Sequence, residues 1–420
     1  MIRSRRHLIP IVALAATAAL TAAGCGSGSS ATGGSAGEGD TTGITDTSVL
    51  IGTHMPMTGP AAAGYSKIPA ATQAYFDHVN EQGGVHGRTI EYKVLDDGYN
   101  PANTQQVVRE LVLQDQVFAI LGGLGTPTHS GVLDFLNTNG VPDLFVASGS
   151  RIWNQPDKYP LTFGYNADYT VEAKVMTDYV DKNLPGKKIC TFGQDDDFGA
   201  DYLDGVEQIV GAENVVERQT YSTSNTNVAP QIGALQAAGC EVVMLATIPG
   251  FTALAIGTAG RLGFAPQWTT ASVGGDLVTL SKTLGEAAPL AEGLLSTNYL
   301  PSHFSEDDEW TTQFREINDK YNGGAEFDGN IVYGMSMAHL FVQALEAAGE
   351  NPTRESIVAA ITDNGFDGPN LVPFRFSADD HSGAGGARVN QVRGGIQEYF
   401  GPSYTTTDTP GDAVVEYAAG

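Results

Sequence analysis

Short apolar runs alternate with amphipathic segments from residue 49 onward, and this alternation constrains the fold more than any other feature of the sequence. In the first part of the chain it predicts strands at 49–53, 89–96, 118–121 and 141–147, and helices at 68–80, 101–114 and 131–139. Strands that alternate with helices form a parallel sheet with helices on both faces. Ligands bind such sheets beyond the carboxyl ends of the strands. The loops expected to face one cleft are 54–65, 96–101, 122–128 and 147–153.

The same alternation returns after a crossover segment at 163–168. Further strands are predicted at 187–192, 214–221, 241–246 and 268–271, and further helices at 169–183, 198–210, 228–238 and 252–262. Residues 292–298 then lead back, followed by helices at 306–321, 329–348 and 353–364 and by strand-like pieces at 372–376 and 391–400. A chain of 420 residues has the usual size of about two domains. We therefore expect two similar α/β lobes.

A glycine-rich loop follows the apolar run that starts at Phe118. It contains glycines at 122, 123 and 125 and continues as Thr126-Pro127-Thr128. Thr126 is a candidate N-cap, with Pro127 at the first helical position. Free amides at a helix start attract anions, so the loop is a candidate cradle for a carboxylate. An ordinary strand-to-helix turn is the alternative, because a single glycine-rich loop has low specificity.

The first 25 residues carry the features of an export signal. Arg3, Arg5 and Arg6 precede an apolar run from Leu8 to Ala23, which is short for a membrane span. The run ends in small residues before Cys25, which resembles the lipobox of bacterial lipoproteins, although Ala22 stands where leucine is usual. Lipidation of Cys25 is expected, and cleavage at an alanine site remains the alternative. Residues 26–47 are rich in Gly and Ser and predict a flexible tether.

Composition and motifs exclude several classes of protein. The net charge of −26 argues against a nucleic-acid partner and against a basic membrane-binding patch. No zinc-protease motif, P-loop or complete dinucleotide motif is present, and no G-x-S-x-G elbow stands between a predicted strand and helix. The run Asp195–Asp197 lacks EF-hand spacing, and carboxylates are favoured at a helix start in any case. We expect a protein that is not an enzyme and that uses no cofactor and no metal.

Cys190 and Cys240 both lie in strand-like runs. They could form a disulfide in an exported protein, but buried free thiols are the interpretation we favour from sequence.

Several motifs in one order resemble the type I periplasmic binding proteins, and most closely the leucine/isoleucine/valine-binding branch of receptors that serve ABC importers. The motifs are Met57-Thr-Gly-Pro60, Asn80-Glu-Gln-Gly-Gly-Val-His-Gly-Arg88, Asp96-Asp97, the glycine loop, Asp195-Asp-Asp-Phe-Gly199, Leu235–Val243, Phe366-Asp-Gly-Pro369 and Pro373-Phe-Arg-Phe376. The resemblance implies an α/β fold of two Rossmann-like lobes, the Venus-flytrap arrangement, joined by a three-crossover hinge. It also implies lobe 1 at 48–167 plus 299–368, and lobe 2 at 168–298 plus 369–410.

The resemblance also implies ligand-binding positions. The family holds a ligand carboxylate with hydroxyls and amides from the glycine loop and from the end of the next strand. Here these positions, together with an aromatic position that lines the pocket and positions on the second lobe, are Tyr65, Gly125, Thr126, Thr128, Ser148, Ser150, Phe198, Ile248 and Ser272. Simple turn chemistry is the alternative for the two serines at 148 and 150. Trp153 is either a further aromatic of the cleft or a core residue.

Two departures from the family pattern concern the ligand. Relatives that bind amino acids hold the ammonium with an aromatic hydroxyl and an acidic residue. The corresponding places fall near Ile248 and Ser272, which are neither aromatic nor acidic. Asp276 is close enough in sequence to substitute. An unpaired buried ammonium is costly, so a carboxylate with an apolar or aromatic body is an alternative to a branched-chain amino acid.

The resemblance therefore implies a monomeric, extracytoplasmic receptor that is lipid-anchored to the cell membrane. Its expected partners are a small-molecule ligand and an ABC permease with its ATPase subunits. A ligand-sensing receptor of the same fold, without transport, is the alternative function.

Overall fold

A computed structural model describes residues 39–418, which contain two β-sheets. The first sheet is formed by β1 (Ser48–Met55), β2 (Thr89–Asp96), β3 (Ile120–Leu121), β4 (Asp143–Val146) and β5 (Thr162–Gly164). The second is formed by β6 (Ile189–Gln194), β7 (Val215–Tyr221), β8 (Val242–Ala246), β9 (Gln267–Thr270), β10 (Leu295–Asn298), β11 (Gly386–Arg393), β12 (Ile396–Thr405) and β13 (Val415–Tyr417). The strand orders are β2-β1-β3-β4-β5 and β13-β12-β11-β10-β9-β8-β6-β7.

The first sheet is entirely parallel, as the alternation of strands and helices predicts. The second sheet is mixed, because β6 to β10 pair in parallel whereas β11, β12 and β13 pair antiparallel at one edge. We call the elements packed on the first sheet the first lobe, and those packed on the second sheet the second lobe.

Helices cover the sheets. They are α1 (Ala62–Tyr65), α2 (Ile68–Glu81), α3 (Pro101–Leu113), α4 (Thr126–His129), α5 (Leu133–Thr138), α6 (Tyr169–Asn183), α7 (Asp197–Val210), α8 (Ala229–Ala238), α9 (Pro249–Leu262), α10 (Leu277–Leu284), α11 (Glu309–Tyr321), α12 (Gly329–Ala347) and α13 (Arg354–Asp363). Side-chain oxygens of Asn100, Asp168, Asp196 and Asp328 accept hydrogen bonds from the first free amides of α3, α6, α7 and α12. These local caps fix where the helices start.

The chain passes between the lobes three times. Helix α6 packs on α7 in the second lobe, whereas α11 and α12 return to pack on α2 in the first lobe. The passages therefore lie between β5 and α6, between β10 and α11, and between α13 and β11, which confirms the three-crossover arrangement.

The predicted limits of the two lobes remain our proposal. The segment around residue 374 bears on the second limit. The Phe374 ring lies 5.6 Å from Tyr165, and the Phe376 ring lies 5.6 Å from Phe145, so these residues contact the first lobe.

Most predicted elements are present within a few residues, and the exceptions have local causes. The strand predicted at 118–121 is reduced to Ile120–Leu121, although the Phe118 amide still donates to the Leu50 carbonyl (2.7 Å). The piece at 372–376 is not a strand and makes only an isolated bridge from Phe374 to Ala384. Helix α10 was not predicted. Asp276 caps it by accepting from the Thr279 amide.

Cys190 and Cys240 form a disulfide, so the favoured expectation of two free thiols was wrong. Cys190 lies in β6, and Cys240 lies just before β8, which pairs with β6. Each run was recognised as a strand, but their adjacency in the sheet depends on a non-consecutive strand order. The sequence alone does not state that order.

The export signal, Cys25 and most of the tether lie outside the described residues. Within residues 39–418, no helix is long and apolar enough to cross a membrane.

We predict that the disulfide stabilises the second lobe. It links residues 50 positions apart, and a crosslink of this span stabilises a fold by about 2–4 kcal/mol. The Cys190→Ala/Cys240→Ala variant should lose about this much unfolding free energy in urea denaturation. Wild-type protein denatured with dithiothreitol is the control and should approach the variant. Equal stability of wild type and variant without reductant would contradict the prediction.

Candidate functional site: a cleft between the lobes

A cleft of about 980 Å³, partly open to solvent, lies between the two lobes. Each of the four first-lobe loops predicted to face it contributes to its lining, through Tyr65, Tyr99, Leu124 with Gly125, and Ala147. The prediction that these loops share one cleft is therefore confirmed. The second lobe lines the cleft as well, and residues of the crossover segments complete the lining.

Aromatic side chains and neutral amides dominate the cleft. The aromatic residues are Tyr65, Tyr99, Tyr169, Phe198, Tyr299, Tyr333 and Tyr399, and the amides are Asn166, Asn298, Asn330, Asn390 and Gln397. Among the described lining residues there is one carboxylate, Asp276, and no lysine or arginine. Such a surface suits a ligand with an apolar or aromatic body and a polar group held by neutral hydrogen bonds.

Five of the predicted binding residues line this cleft: Tyr65, Gly125, Phe198, Ile248 and Ser272. Tyr65 also spans the cleft, because its hydroxyl donates to the Val273 carbonyl of the second lobe (2.7 Å).

The four remaining predicted binding residues are buried and do not line the cleft. They are Thr126, Thr128, Ser148 and Ser150. The hydroxyl oxygens of Thr126 and Ser148 are hydrogen-bonded to each other (2.7 Å). The Thr128 hydroxyl donates to the Leu124 carbonyl (2.6 Å), and the Ser150 hydroxyl donates to Asp201 (2.7 Å). Their hydrogen bonds are thus made within the protein.

Trp153 packs in a core cluster with Leu133, Val146 and Tyr159, outside the cleft. Of the two roles left open for it, the structure supports the core.

The N-cap of the helix after the glycine loop lies one residue before the predicted position. Gly125, in the left-handed region at φ 102°, is the N-cap, and Thr126 is the first helical residue. The predicted cap was wrong because the turn requires a backbone conformation that glycine adopts readily.

A fully buried chain of four side chains lies beneath this loop. His54 Nδ1 is 2.8 Å from Asp97 Oδ2, His54 Nε2 is 2.8 Å from His129 Nδ1, and His129 Nε2 is 2.8 Å from Asp143 Oδ2. Three hydrogen bonds in line need three protons, whereas two neutral imidazoles carry two, so the chain holds one further proton. Burial lowers the pKa of His54, and its hydrogen bond to Asp97 opposes that effect.

Glu172, on α6, supports the second-lobe wall from behind. It is buried and accepts hydrogen bonds from the Ser272 amide (2.8 Å), the Ser272 hydroxyl (2.8 Å) and the Thr297 hydroxyl (2.6 Å). Burial raises the pKa of Glu172 to about 7, and the hydrogen bonds from Thr297 and Ser272 oppose this rise. The acidic group expected near Ser272 in amino-acid receptors is thus present in space, but it is bonded to the wall.

Direct contacts join the lobes across the cleft. Gln194 of β6 donates to the Tyr99 hydroxyl (3.2 Å), and the Gly329 amide donates to Asp276 (3.0 Å). Together with the bond from Tyr65 to Val273, these contacts define a closed arrangement of the two lobes.

Sequence reasoning missed the residues contributed by the crossovers, including Asn166, Asn298 and Tyr299. The crossover at 163–168 was recognised, but its residues were not assigned to the site. These residues could have been predicted, because chain segments that join two lobes pass beside the cleft between them.

The position of Gly123 yields a test of the buried chain. A Cβ atom there would lie 2.3 Å from His129 Nδ1 and 2.6 Å from His54 Nε2. Gly123→Ala should therefore displace the imidazoles and cost about 1–3 kcal/mol of unfolding free energy in urea denaturation. Gly131→Ala is the matched control, because it is exposed and its nearest neighbour is the end of Gln105 at 3.4 Å. Equal stability of the two variants would contradict the packing described.

The raised pKa of Glu172 predicts a pH dependence of stability. The pKa of Glu172 is about 7 in the folded protein and 4.5 in the unfolded chain, so the folded protein binds this proton more tightly. The free energy of unfolding should therefore fall as the pH rises from about 4.5 to about 7, by up to about 3 kcal/mol from this group.

Glu172→Gln should flatten this dependence, because the neutral amide resembles the protonated carboxyl. The exposed Glu398→Gln variant serves as the control and should keep the wild-type dependence. Urea denaturation near pH 5 and near pH 8 measures the effect, and an unchanged difference in the Glu172 variant would refute it.

Comparison with known proteins agrees with this geometry. The family model described as periplasmic binding protein matches residues 48–396. A Leu/Ile/Val-binding protein homolog 3 of Brucella melitensis is 24% identical over 206 residues, covering 46% of this chain and 53% of that protein. The chain thus spans about half the length of this relative. A Leu/Ile/Val-binding protein homolog 1 of Brucella suis is 22% identical over 310 residues, covering 73% and 80%.

Solved structures show the same fold. A fatty acid ABC transporter substrate-binding protein from Thermomonospora curvata superposes with a TM-score of 0.78 at 22% identity, covering 88% of this chain and 95% of that chain. A branched chain amino acid ABC transporter structure from Thermus thermophilus with bound valine superposes with a TM-score of 0.76 at 22% identity. The match covers 87% of this chain and 98% of that chain. With the family match spanning both lobes, the chain belongs to the periplasmic binding protein family.

Proposed function

We propose that the protein is the extracytoplasmic receptor of an ABC importer, which binds a small carboxylate-bearing ligand in the cleft and delivers it to a membrane permease. The observation that supports this most strongly is the cleft itself, which both lobes line with aromatic and amide side chains. Ligand contacts made only when the lobes are shut would favour the closed arrangement. The permease and its ATPase subunits would then recognise the closed form of a monomeric receptor anchored through Cys25.

The five predicted residues that line the cleft are proposed to contact the ligand directly. Phe198 and Ile248 would contact its apolar body, and Ser272 would present a small polar edge. The hydroxyls of Thr126, Thr128, Ser148 and Ser150 are proposed to make no contact with the ligand, because these residues are buried and do not line the cleft.

The geometry favours a carboxylate without an ammonium over a branched-chain amino acid. Asp276 lines the cleft, but its oxygens already accept from the Thr279 amide (2.8 Å) and the Gly329 amide (3.0 Å). Glu172 is likewise engaged by Ser272 and Thr297. An ammonium would therefore compete for carboxylates that are already hydrogen-bonded. Solved structures of the same fold include a fatty acid ABC transporter substrate-binding protein and a branched chain amino acid ABC transporter with bound valine.

A thermal-shift screen tests the proposal. Benzoate and 3-methylbutanoate should raise the melting temperature, and valine and leucine should raise it less, because only the amino acids bring an ammonium into the cleft. A ligand at about 100 times its Kd stabilises a protein by about 2.7 kcal/mol, which is a shift of several degrees.

Glucose and lysine are the negative controls. Tight binding of leucine or valine with no response to the simple carboxylates would refute the preference stated here. Shifts with none of the four carboxylates would refute the proposed ligand class.

A further inference from the structure

The Thr126 hydroxyl of the glycine loop and its partner Ser148 do not line the cleft. Thr126 and Ser148 are bonded to each other and buried at 2% and 1% exposure. Tyr169 packs beside Gly149, the residue after Ser148: a Cβ atom on Gly149 would lie 2.9 Å from its ring, and the Tyr169 amide donates to the Gly149 carbonyl (2.7 Å). Tyr169 lines the cleft, whereas the hydroxyl pair does not.

Two asparagines on the crossover segments have the opposite property. Asn298 Oδ1 accepts from the Tyr299 amide (2.8 Å) and the Leu300 amide (3.0 Å), which fixes the carbonyl side of its side chain. Asn166 Oδ1 accepts from the Tyr333 hydroxyl (2.7 Å). Within residues 39–418 neither amide nitrogen donates a hydrogen bond, and both side chains line the cleft. Each therefore presents an unused N–H donor to a ligand.

An aromatic residue next to each asparagine, or bonded to it, packs near the same ring, Tyr165. The Tyr165 ring lies 5.0 Å from Tyr333, the partner of Asn166, and 6.3 Å from Tyr299, the neighbour of Asn298. Asn166 lies on the first crossover and Asn298 at the start of the second. A group bound to both would thus be held by the segments that join the lobes.

The charge of the lining limits what the cleft can bind. It contains donors without a formal charge, and no described lining residue is a lysine or arginine. N–H donors that have no partner among the described residues are best satisfied by an oxygen acceptor. A planar carboxylate or carboxamide offers such oxygens, and an adjacent apolar body would lie against the aromatic residues.

We propose that the amide nitrogens of Asn166 and Asn298 bind the oxygen-bearing head group of the ligand, and that the glycine-loop hydroxyls do not. This assignment rests on the proposed function, because it concerns the same cleft. It places the specificity for the head group at the hinge, where binding bears directly on closure.

Calorimetric titration with benzoate and benzamide tests the assignment, because the two probes share a ring and differ in the charge of the head group. Asn298→Asp keeps the acceptor for the Tyr299 and Leu300 amides but replaces the donor with a carboxylate oxygen. It should weaken benzoate binding by about tenfold or more. Benzamide should lose less affinity, because its own N–H group can donate to the new carboxylate. Asn166→Asp should act in the same way.

Two control variants separate this site from its alternatives. Asn330→Asp makes the same charge change in the same cleft, but the Asn330 amide already donates to the Thr279 hydroxyl (3.3 Å). It should weaken benzoate binding less than Asn166→Asp and Asn298→Asp do, because it adds the same charge without removing an unused donor. Thr126→Ala should leave affinity within about twofold, because its hydroxyl is bonded to Ser148. Melting temperatures and circular dichroism establish that each variant is folded.

The outcomes distinguish the two proposals. Loss of affinity in the Asn166 and Asn298 variants, with Thr126→Ala unchanged, supports the assignment for whichever probe binds. Loss in Thr126→Ala with unchanged Asn166 and Asn298 variants overturns it and leaves the proposed function intact. An equal loss in Asn330→Asp overturns it as a general charge effect. If wild-type protein binds neither probe, the assignment fails, whereas the ligand class stands or falls with the four carboxylates of the thermal-shift screen.

Discussion

The buried chain Asp97–His54–His129–Asp143 is the interaction on which the first-lobe wall of the cleft depends. It joins β1, the end of β2, α4 and β4 through three contacts of 2.8 Å without access to water. Breaking such a chain would leave a buried polar group without a partner, which is costly. The geometry leaves no room for a side chain at position 123, so the glycine there follows from the two imidazoles.

The same chain positions residues that a ligand would meet. Asp97 accepts from the Tyr99 amide (2.8 Å), and Tyr99 lines the cleft. Gly123, packed on both histidines, is followed by Leu124 and Gly125, which also line it. Glu172 has the corresponding role in the second lobe, where it holds Ser272. Both walls are therefore fixed by buried polar groups before a ligand arrives, which reduces the entropy that binding must overcome.

Helices and strands could be predicted from the sequence because their causes are local. Asn100 and Asp168 cap their helices within a few residues, and hydrophobic periodicity identified most of the strands. The four loops of the first lobe could be assigned to the cleft because the carboxyl ends of parallel strands share an edge.

The parts that could not be predicted depend on contacts between distant residues. Thr126 fits the expected pattern, but its hydroxyl is used by Ser148, 22 residues away. The disulfide depends on β6 lying beside β8, and Asn298 reaches the site only because a crossover passes it. The residue type at these positions does not determine which partner the side chain bonds to. The partner is known only once the three-dimensional packing is known.

The most direct test of the central claim is a crystal structure of the protein with the carboxylate that gives the largest thermal shift. We predict that the compound lies between the lobes, with its carboxylate oxygens within hydrogen-bond distance of the Asn166 and Asn298 amide nitrogens and its apolar body against Phe198 and Tyr169. A compound bound outside the cleft would contradict the receptor function. A compound inside it, with its carboxylate on the hydroxyls of Thr126 and Ser148, would contradict the assignment of the head group.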